Sequence, residues 1–228
     1  MSYIIFLFCR KIKRYEDLVD RQSFIRERFT TLGPDLSAAH FLLARGCRIR
    51  FRDDSDWIES TRQKDVPDPL GILPDAVPSS YEPGYYVQAI DASDSNLVYE
   101  GITNIRNLVY LKHLDLSYCM EIDAFCMDRI TGEFADSLEF LDISGCRNLD
   151  WNGLECIWRL YRLKTLVLRD MEHVKDIKLI CLMLLDILPD LEIRGVDYLD
   201  TMLLKGTEDE DLMRDADLNL LPDITSTS

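Results

Sequence analysis

The chain has 228 residues, is 47% hydrophobic and carries a formal net charge of −15, a composition that can supply a globular core. The charge is uneven: residues 1–66 hold 13 Lys and Arg against 10 Asp and Glu, whereas residues 67–228 hold 13 against 31, an acidic body that repels phosphate backbones and argues against nucleic-acid binding. No apolar run approaches the ~18 residues of a membrane-spanning helix, and seven cysteines without a secretory signal fit a reducing compartment.

Residues 1–59 read as an N-terminal cap. Tyr3–Cys9 is an apolar run followed by Arg10, Lys11, Lys13 and Arg14, the reverse of the order in a secretory signal. No acid precedes Glu16, which also suits a short organelle-targeting segment. The pattern predicts an amphipathic helix that packs its apolar side on the body and includes Leu18 and Val19. Gly33-Pro34 marks a break. Asp35 or Ser37 then caps a helix running through Arg45, with Phe41, Leu42 and Leu43 buried and Gly46 ending it.

Cys47–Phe51 alternates, with Cys47, Ile49 and Phe51 on one face and Arg48 and Arg50 on the other, a strand by its period of two. Trp57 and Ile58 anchor the segment after it. Arg48, Arg50 and Arg52 form a compact basic row with two readings. One is a contact for anionic lipid or an acidic partner; the other is the solvated face of an edge strand, where charge discourages aggregation.

Residues 60–86 read as a linker. Pro67, Pro69, Gly71, Pro74, Pro78, Pro83 and Gly84 break regular structure, and Leu70, Ile72, Leu73, Tyr81, Tyr85 and Tyr86 could hold the segment against the body.

The strongest signal lies in residues 87–199. Leu111, Leu114, Leu116 and Cys119 spell L-x-x-L-x-L-x-x-C. Leu138, Leu141, Ile143 and Cys146 repeat it 27 residues on, and Leu163, Leu166, Leu168 and Met171 repeat it after 25 more. Val87, Ile90, Ala92 and Ser95 make a degraded first copy. Periods of ~20–29 residues are those of leucine-rich repeats. The expected fold is therefore α/β, a short leucine-rich-repeat solenoid with parallel strands on its concave face. Helical returns are expected over Gly101–Leu108, Phe125–Phe134, Leu154–Leu160 and Lys178–Leu188, the last stopped by Pro189, with a final strand from Leu191 to Gly195.

Side chains alternate across a strand, so the residues between the leucines face the concave side. Asp91, Asp115, Asp142 and Val167 form one column there. Ser93, Ser117, Ser144 and Arg169 form a second, beside His113, Phe140 and Thr165. The columns read equally well as a recognition strip for a basic partner segment or as Asp and Ser side chains bonding the neighbouring loops.

Little chemistry accompanies this frame. The sequence holds no phosphate-binding loop, dinucleotide fingerprint, zinc-protease helix or serine nucleophile elbow, so no cofactor and no small-molecule substrate are expected. His40 reads as a core residue in its helix. No C-x-x-C pair supports zinc. Cys119, Cys126, Cys146 and Cys156 fall on frame positions that fill the core, leaving Cys9 and Cys47 as the thiols that could be exposed. Residues 200–228 include the acidic run Glu208, Asp209, Glu210 and Asp211, and their low hydropathy with high charge predicts a disordered tail, with Leu218, Leu220 and Leu221 as its apolar exception.

Four segments add a family resemblance: Ala38–Asp53 ahead of Trp57, Val87–Gly101, Ser137–Cys146 and Leu188–Tyr198. Together they resemble the distal membrane arm assembly component 2 family, also called ATP synthase subunit s-like, a relative of mitochondrial coupling factor B. The likeness spans residues 37–198. It implies a non-enzymatic protein at the mitochondrial inner membrane, peripheral or on the matrix side, that helps assemble the distal membrane arm of respiratory complex I. Its partners would be membrane-arm subunits or other assembly factors. The basic presequence expected of such a protein is short here, with Tyr3–Arg14 the segment that could serve. A cytosolic substrate receptor of a ubiquitin ligase would use the same repeats, but it needs an F-box of ~40 residues that buries an apolar face on an adaptor. No opening Leu-Pro pair marks one.

Overall fold

The computed structural model describes residues 2–60 and 74–198; in the first helix the side chains of residues 2–9 and 11 fall outside the description. The chain divides into two units, Met1–Val196 and Asp197–Ser228, and the helices and strands of the described residues belong to the first. The expected acidic tail, with Leu218, Leu220 and Leu221, lies outside the described residues, as do Leu70, Ile72 and Leu73.

The fold is α/β, built on a mostly parallel mixed sheet. In chain order come α1 (Ser2–Gln22), α2 (Arg26–Leu43), β1 (Arg48–Phe51), β2 (Ile58–Glu59), β3 (Val87–Asp91), α3 (Tyr99–Ile102), β4 (His113–Asp115), α4 (Ala124–Glu133), β5 (Phe140–Asp142), α5 (Trp151–Glu155), β6 (Thr165–Val167), α6 (Ile177–Ile187) and β7 (Glu192–Arg194). Short 3-10 segments extend α3 and α5, at Thr103–Ile105 and Cys156–Arg159. The strand order is β2-β1-β3-β4-β5-β6-β7. From β3 to β7 all neighbours are parallel, and β1 joins β3 antiparallel. An edge position was one reading of β1, but β2 covers its other side.

The sequence frame becomes the sheet register. Ile90, Leu114, Leu141, Leu166 and Ile193 stand side by side on successive strands, and all five are buried. Leu116, Ile143 and Leu168 follow on the same inward side, and Val98, Ile122, Leu149 and Val174 fill the next layer, all buried. Hydrogen bonds continue past each strand into the turn: Ala92 N–H donates to Asp115 C=O, Leu116 to Asp142, Ile143 to Val167 and Leu168 to Arg194. Each turn then reverses through one left-handed residue: Asp94, Tyr118, Gly145, Asp170 and Gly195. At Gly145 a Cβ would sit 2.5 Å from the Tyr118 ring, so this position requires glycine twice over, for its positive φ and for the ring laid across it.

The cysteines of the frame bond the preceding turn. Cys119 Sγ donates to Ala92 O at 3.1 Å, and Cys146 Sγ to Leu116 O at 3.1 Å. Burial pushes the Cys119 and Cys181 thiols up to about 11 and those of Cys126 and Cys146 to about 12. Cys47 is buried as well, whereas Cys156 is only half-buried and does not fill the core as its spacing suggested. Since the thiolate is the reactive form, alkylation at mildly basic pH is expected to modify Cys156 well before Cys119, Cys126, Cys146 or Cys181. Mass mapping before and after urea unfolding checks this; early labelling of Cys119 would contradict the packing.

The N-terminal elements differ in detail from expectation. Gly33-Pro34 is the expected break: Gly33, at φ +76° and ψ 173°, is not helical, and it divides α2 into two helical stretches that meet at a kink. Asp35 and Ser37 lie just after that break, both buried, and their side chains bond elsewhere instead of capping the second stretch. Asp35 Oδ1 accepts the N–H of Val87 at 2.8 Å, and Ser37 Oγ accepts from Arg28 Nε. In α1, Leu18 and Val19 are half-buried and Gln22 is fully buried. Tyr85 packs edge-on against Phe51 and Tyr86 lies tilted on Tyr110, while Tyr81 is largely exposed and does little of the expected wrapping. No described helix is long and apolar enough to cross a membrane.

Candidate functional site: the outer face of the sheet

The side chains opposite the leucines form two rows across the strands. One runs Arg48, Asp91, Asp115, Asp142, Val167, Arg194, and the other Arg50, Ala89, His113, Phe140, Thr165, Glu192. The aspartate column read from the sequence, and the His113, Phe140 and Thr165 beside it, stand in strand register, whereas Ser93, Ser117, Ser144 and Arg169 lie past the strands, in the turns.

Each aspartate of the row folds back on its own turn. Asp91 Oδ1 accepts the N–H of Ser93 at 3.0 Å, Asp115 Oδ1 that of Ser117 at 2.9 Å, and Asp142 Oδ1 that of Ser144 at 2.9 Å. An Asx turn of this kind satisfies a backbone donor where the strand ends. Ser117 and Ser144 are buried, and Ser144 Oγ accepts the N–H of Arg169, so these two expected contact residues tie the turns together. Asp91 is buried and takes two bonds from the Arg48 guanidinium, from Nε at 2.9 Å and from Nη2. Burial raises its carboxyl, but the bonds from Ser93 and Arg48 outweigh this and leave it below the usual range. Asp115 lacks such a cation, and burial holds its carboxyl above the usual range.

What the face offers outward is aromatic. His113 stacks flat on Phe140, with centroids 4.1 Å apart and planes 3° from parallel, and Trp57 meets His113 edge-on at 5.9 Å. The guanidinium groups of Arg48 and Arg50 stand 5.7 and 5.5 Å from the Trp57 centroid, within cation–π range. Arg52 belongs elsewhere: after a register shift between Arg50 and Phe51 its guanidinium covers Tyr110 at 4.6 Å. The basic row of the sequence is thus divided between two rings. Thr165 and Asp142 are half-buried and Arg169 is exposed at the far end of the face.

Sequence alone gave Trp57 only an anchoring role and did not reveal the ladder beside these rings. Lys112, Glu139 and Lys164 precede His113, Phe140 and Thr165 and alternate in charge, with ion pairs of 2.8 and 2.6 Å. The two lysine bonds hold the Glu139 carboxyl below its usual range. That alternation was readable, since it occupies one frame position. As exposed pairs they contribute little stability.

Burial lowers the His113 pKa from its ordinary value near 6.5, and His40, which contacts Pro78 O at 2.8 Å, is lowered for the same reason. With a depressed folded value, the unfolded chain takes up the proton first as pH falls. Stability is therefore full above about 6.5 and is lost as pH falls from there through the folded value. Urea unfolding between mildly basic and mildly acidic pH is expected to show this loss, and His113→Gln to reduce its slope. An unchanged slope in that variant would assign the effect to His40.

No group of three or more His, Cys, Asp or Glu suited to a metal ion occurs among the described residues. No protein-family model matches the chain. Curated proteins do match. Distal membrane arm assembly component 2 of Drosophila melanogaster is 35% identical over 184 residues, 80% of this chain and 61% of the fly protein. The resemblance to the distal membrane arm assembly component 2 family holds. Mitochondrial ATP synthase subunit s of Mus musculus and of Bos taurus is each 28% identical over 170 residues, 74% of this chain and 78% of the mammalian protein. The chain thus spans 61% of the fly relative's length. The one relative is named as an assembly component and the others as a subunit.

Proposed function

We propose that the chain is a non-enzymatic mitochondrial assembly factor for the distal membrane arm of respiratory complex I, acting at the inner membrane or its matrix side. One observation carries this: 35% identity over four-fifths of the chain to a protein named for assembly of a distal membrane arm. In this reading strands β3–β7 with their returns are the turns of a leucine-rich-repeat solenoid over 87–199. Residues 1–59 cap it, 60–86 link cap to repeats and 200–228 form an acidic tail. The 24- to 27-residue spacing and the leucine register favour that description.

The partner, a membrane-arm subunit or another assembly factor, binds the outer face of the sheet. Trp57, His113 and Phe140 give it apolar area with little conformational entropy to lose. Asp115, Asp142, Thr165 and Arg169 set polarity around them, and Arg48 and Arg50 flank one end. Aromatic residues and arginine dominate binding energy at protein interfaces, which is why these are placed at its centre. Ser93, Ser117, Ser144 and Asp91 act behind the surface, in the turns.

The test is a null cell with the full chain restored. Loss of complex I with accumulation of membrane-arm intermediates, rescued by wild type but not by Trp57→Ala with Phe140→Ala, supports the proposal. Normal complex I in the null cell overturns it. The mammalian ATP synthase subunit s relatives match over 78% of their length and favour a second reading, an ATP synthase coupling role like that of coupling factor B. Normal complex I with reduced ATP synthase would establish that instead. A cytosolic pool bound to a ubiquitin-ligase adaptor would revive the F-box reading.

A further inference from the structure

The end of the sheet at β7 is built to meet itself. In the parallel pairing of β6 with β7, Glu192 N–H donates to Lys164 C=O and Arg194 C=O accepts from Leu168 N–H. In a parallel ladder the two groups of one residue point to the same side, and alternate residues point to opposite sides. Glu192 and Arg194 are thus turned toward β6, and the N–H and C=O of Ile193 are turned to the outer edge. Among the described residues β7 pairs with β6 alone, and none of them supplies a strand to its other edge. An open edge is a template for another strand unless it is blunted.

The residues on β7 select which strand. Its sequence is Glu-Ile-Arg, with both charges exposed and on one face of the sheet, where they currently pair with each other at 2.7 Å. A two-fold axis through Ile193 sets two copies antiparallel and joins Ile193 to Ile193 of the second copy by two N–H···O bonds. Glu192 then stands opposite Arg194 of the other copy, and Arg194 opposite its Glu192. These flanking positions are the non-hydrogen-bonded pairs, in which cross-strand side chains come closest. The pattern is self-complementary only in that register.

The layer below agrees. The last helix, α6, exposes Leu179, Met183 and Ile187 at 47, 43 and 51%, four residues apart and so on one stripe. The buried side of the helix is made by Ile180, Cys181 and Leu184. α6 and β7 are the last helix and last strand among the described residues, and the arrangement proposed below places the two α6 stripes at the seam with β7. The opposite edge offers no match for head-to-tail growth: β2 has only two residues, Ile58–Glu59, and Glu59 is the one charge it presents.

We propose that two copies of the chain associate through β7 and α6 as a closed, two-fold dimer with one continuous sheet. This goes beyond the assembly-factor reading and does not depend on it, since it concerns the opposite end of the sheet from Trp57.

Sedimentation velocity of the full chain across a concentration series tests it. The wild type is expected to show a monomer–dimer equilibrium. Glu192→Arg places Arg opposite Arg, and Arg194→Glu places Glu opposite Glu. Each single variant is expected to weaken dimerisation about tenfold or more by turning two attractive pairs repulsive. An equimolar mixture of the two variants restores opposite charges in both pairs and is expected to recover a heterodimer of near wild-type affinity. Met183→Glu, on an exposed position that leaves the fold intact, is expected to give monomer in any mixture. A wild type that stays monomeric overturns the proposal. So does an oligomer indifferent to the charge variants, a mixture that fails to recover, or open-ended growth beyond the dimer.

Discussion

Replacing Leu141 with alanine is expected to destabilise the fold by about 2–5 kcal/mol, the range for removing a fully buried leucine from a core that cannot collapse around the gap. Leu141 lies on β5, between Leu114 on β4 and Leu166 on β6 in the same register, and none of the three has accessible surface. Neighbouring strands fix the backbone on both sides, so little relaxation is available to close the void. Ile193 on the terminal strand provides the contrast. It keeps 7% of its surface exposed and, among the described residues, has a strand on one side only, and Ile193→Val is expected to cost about 0.5–1.5 kcal/mol. Urea unfolding of both variants measures the difference. A cost below that of Ile193→Val for Leu141→Ala would mean that the ladder of leucines is not the packed centre.

That ladder was legible because it is one-dimensional information. The spacing of Leu111, Leu138 and Leu163 fixes which residues are neighbours once any two strands pair, and alternation then decides which face each side chain takes. Helix ends were readable as well, though by a signal the spacing alone does not weigh. Asp123 and Asp150 sit 27 residues apart and cap α4 and α5, accepting from Cys126 and Gly153 N–H, which explains why these helices begin one and three residues before the apolar periodicity does. Gly33-Pro34 was read as a break and is one, with non-helical backbone at Gly33, although buried residues continue on both sides of it, Leu32 before and Leu36 after.

Of the outer face, the strand alternation was legible and the roles were not. Sequence alternation put Asp115, Asp142, Ser117 and Ser144 on one side, but could not say whether a carboxylate faces a partner or its own turn. The geometry of each Asp–x–Ser turn decides for the backbone, with Asp Oδ1 near 2.9 Å from the serine N–H. The three-ring row depends on a longer-range event. Trp57 reaches His113 because β1 pairs with β3 and β2 with β1, and no pattern within residues 1–60 dictates that pairing. The same holds for Arg48 and Asp91, 43 residues apart in sequence and bonded in space.

The other large effect is expected at Asn104, where the N-terminal helices are joined to the first turn of the parallel sheet. Asn104 is buried, with 1% exposure. Its Nδ2 donates to Gln22 C=O at 2.8 Å and to Glu100 C=O at 3.1 Å, and its Oδ1 accepts from Arg28 Nη2 at 2.6 Å. Gln22 completes the joint by donating to Asn96 C=O at 2.7 Å and accepting from Val98 N–H at 3.1 Å. A Cβ at Gly101 would strike Gln22 Oε1 at 2.1 Å, so the glycine is what lets this side chain enter. Asn104→Ala strands the Gln22 carbonyl and takes an acceptor from Arg28, whose pKa burial already lowers. Leaving such groups desolvated and unpaired costs about 2–4 kcal/mol, more than a single exchanged hydrogen bond. Because Asn104 and Gln22 share one network, Gln22→Ala and Asn104→Ala are expected to be non-additive by about 0.5–3 kcal/mol, whereas independent sites add. A double-mutant cycle by urea unfolding reads this coupling directly. Strict additivity would mean that the two side chains contribute only their separate bonds and do not order one another.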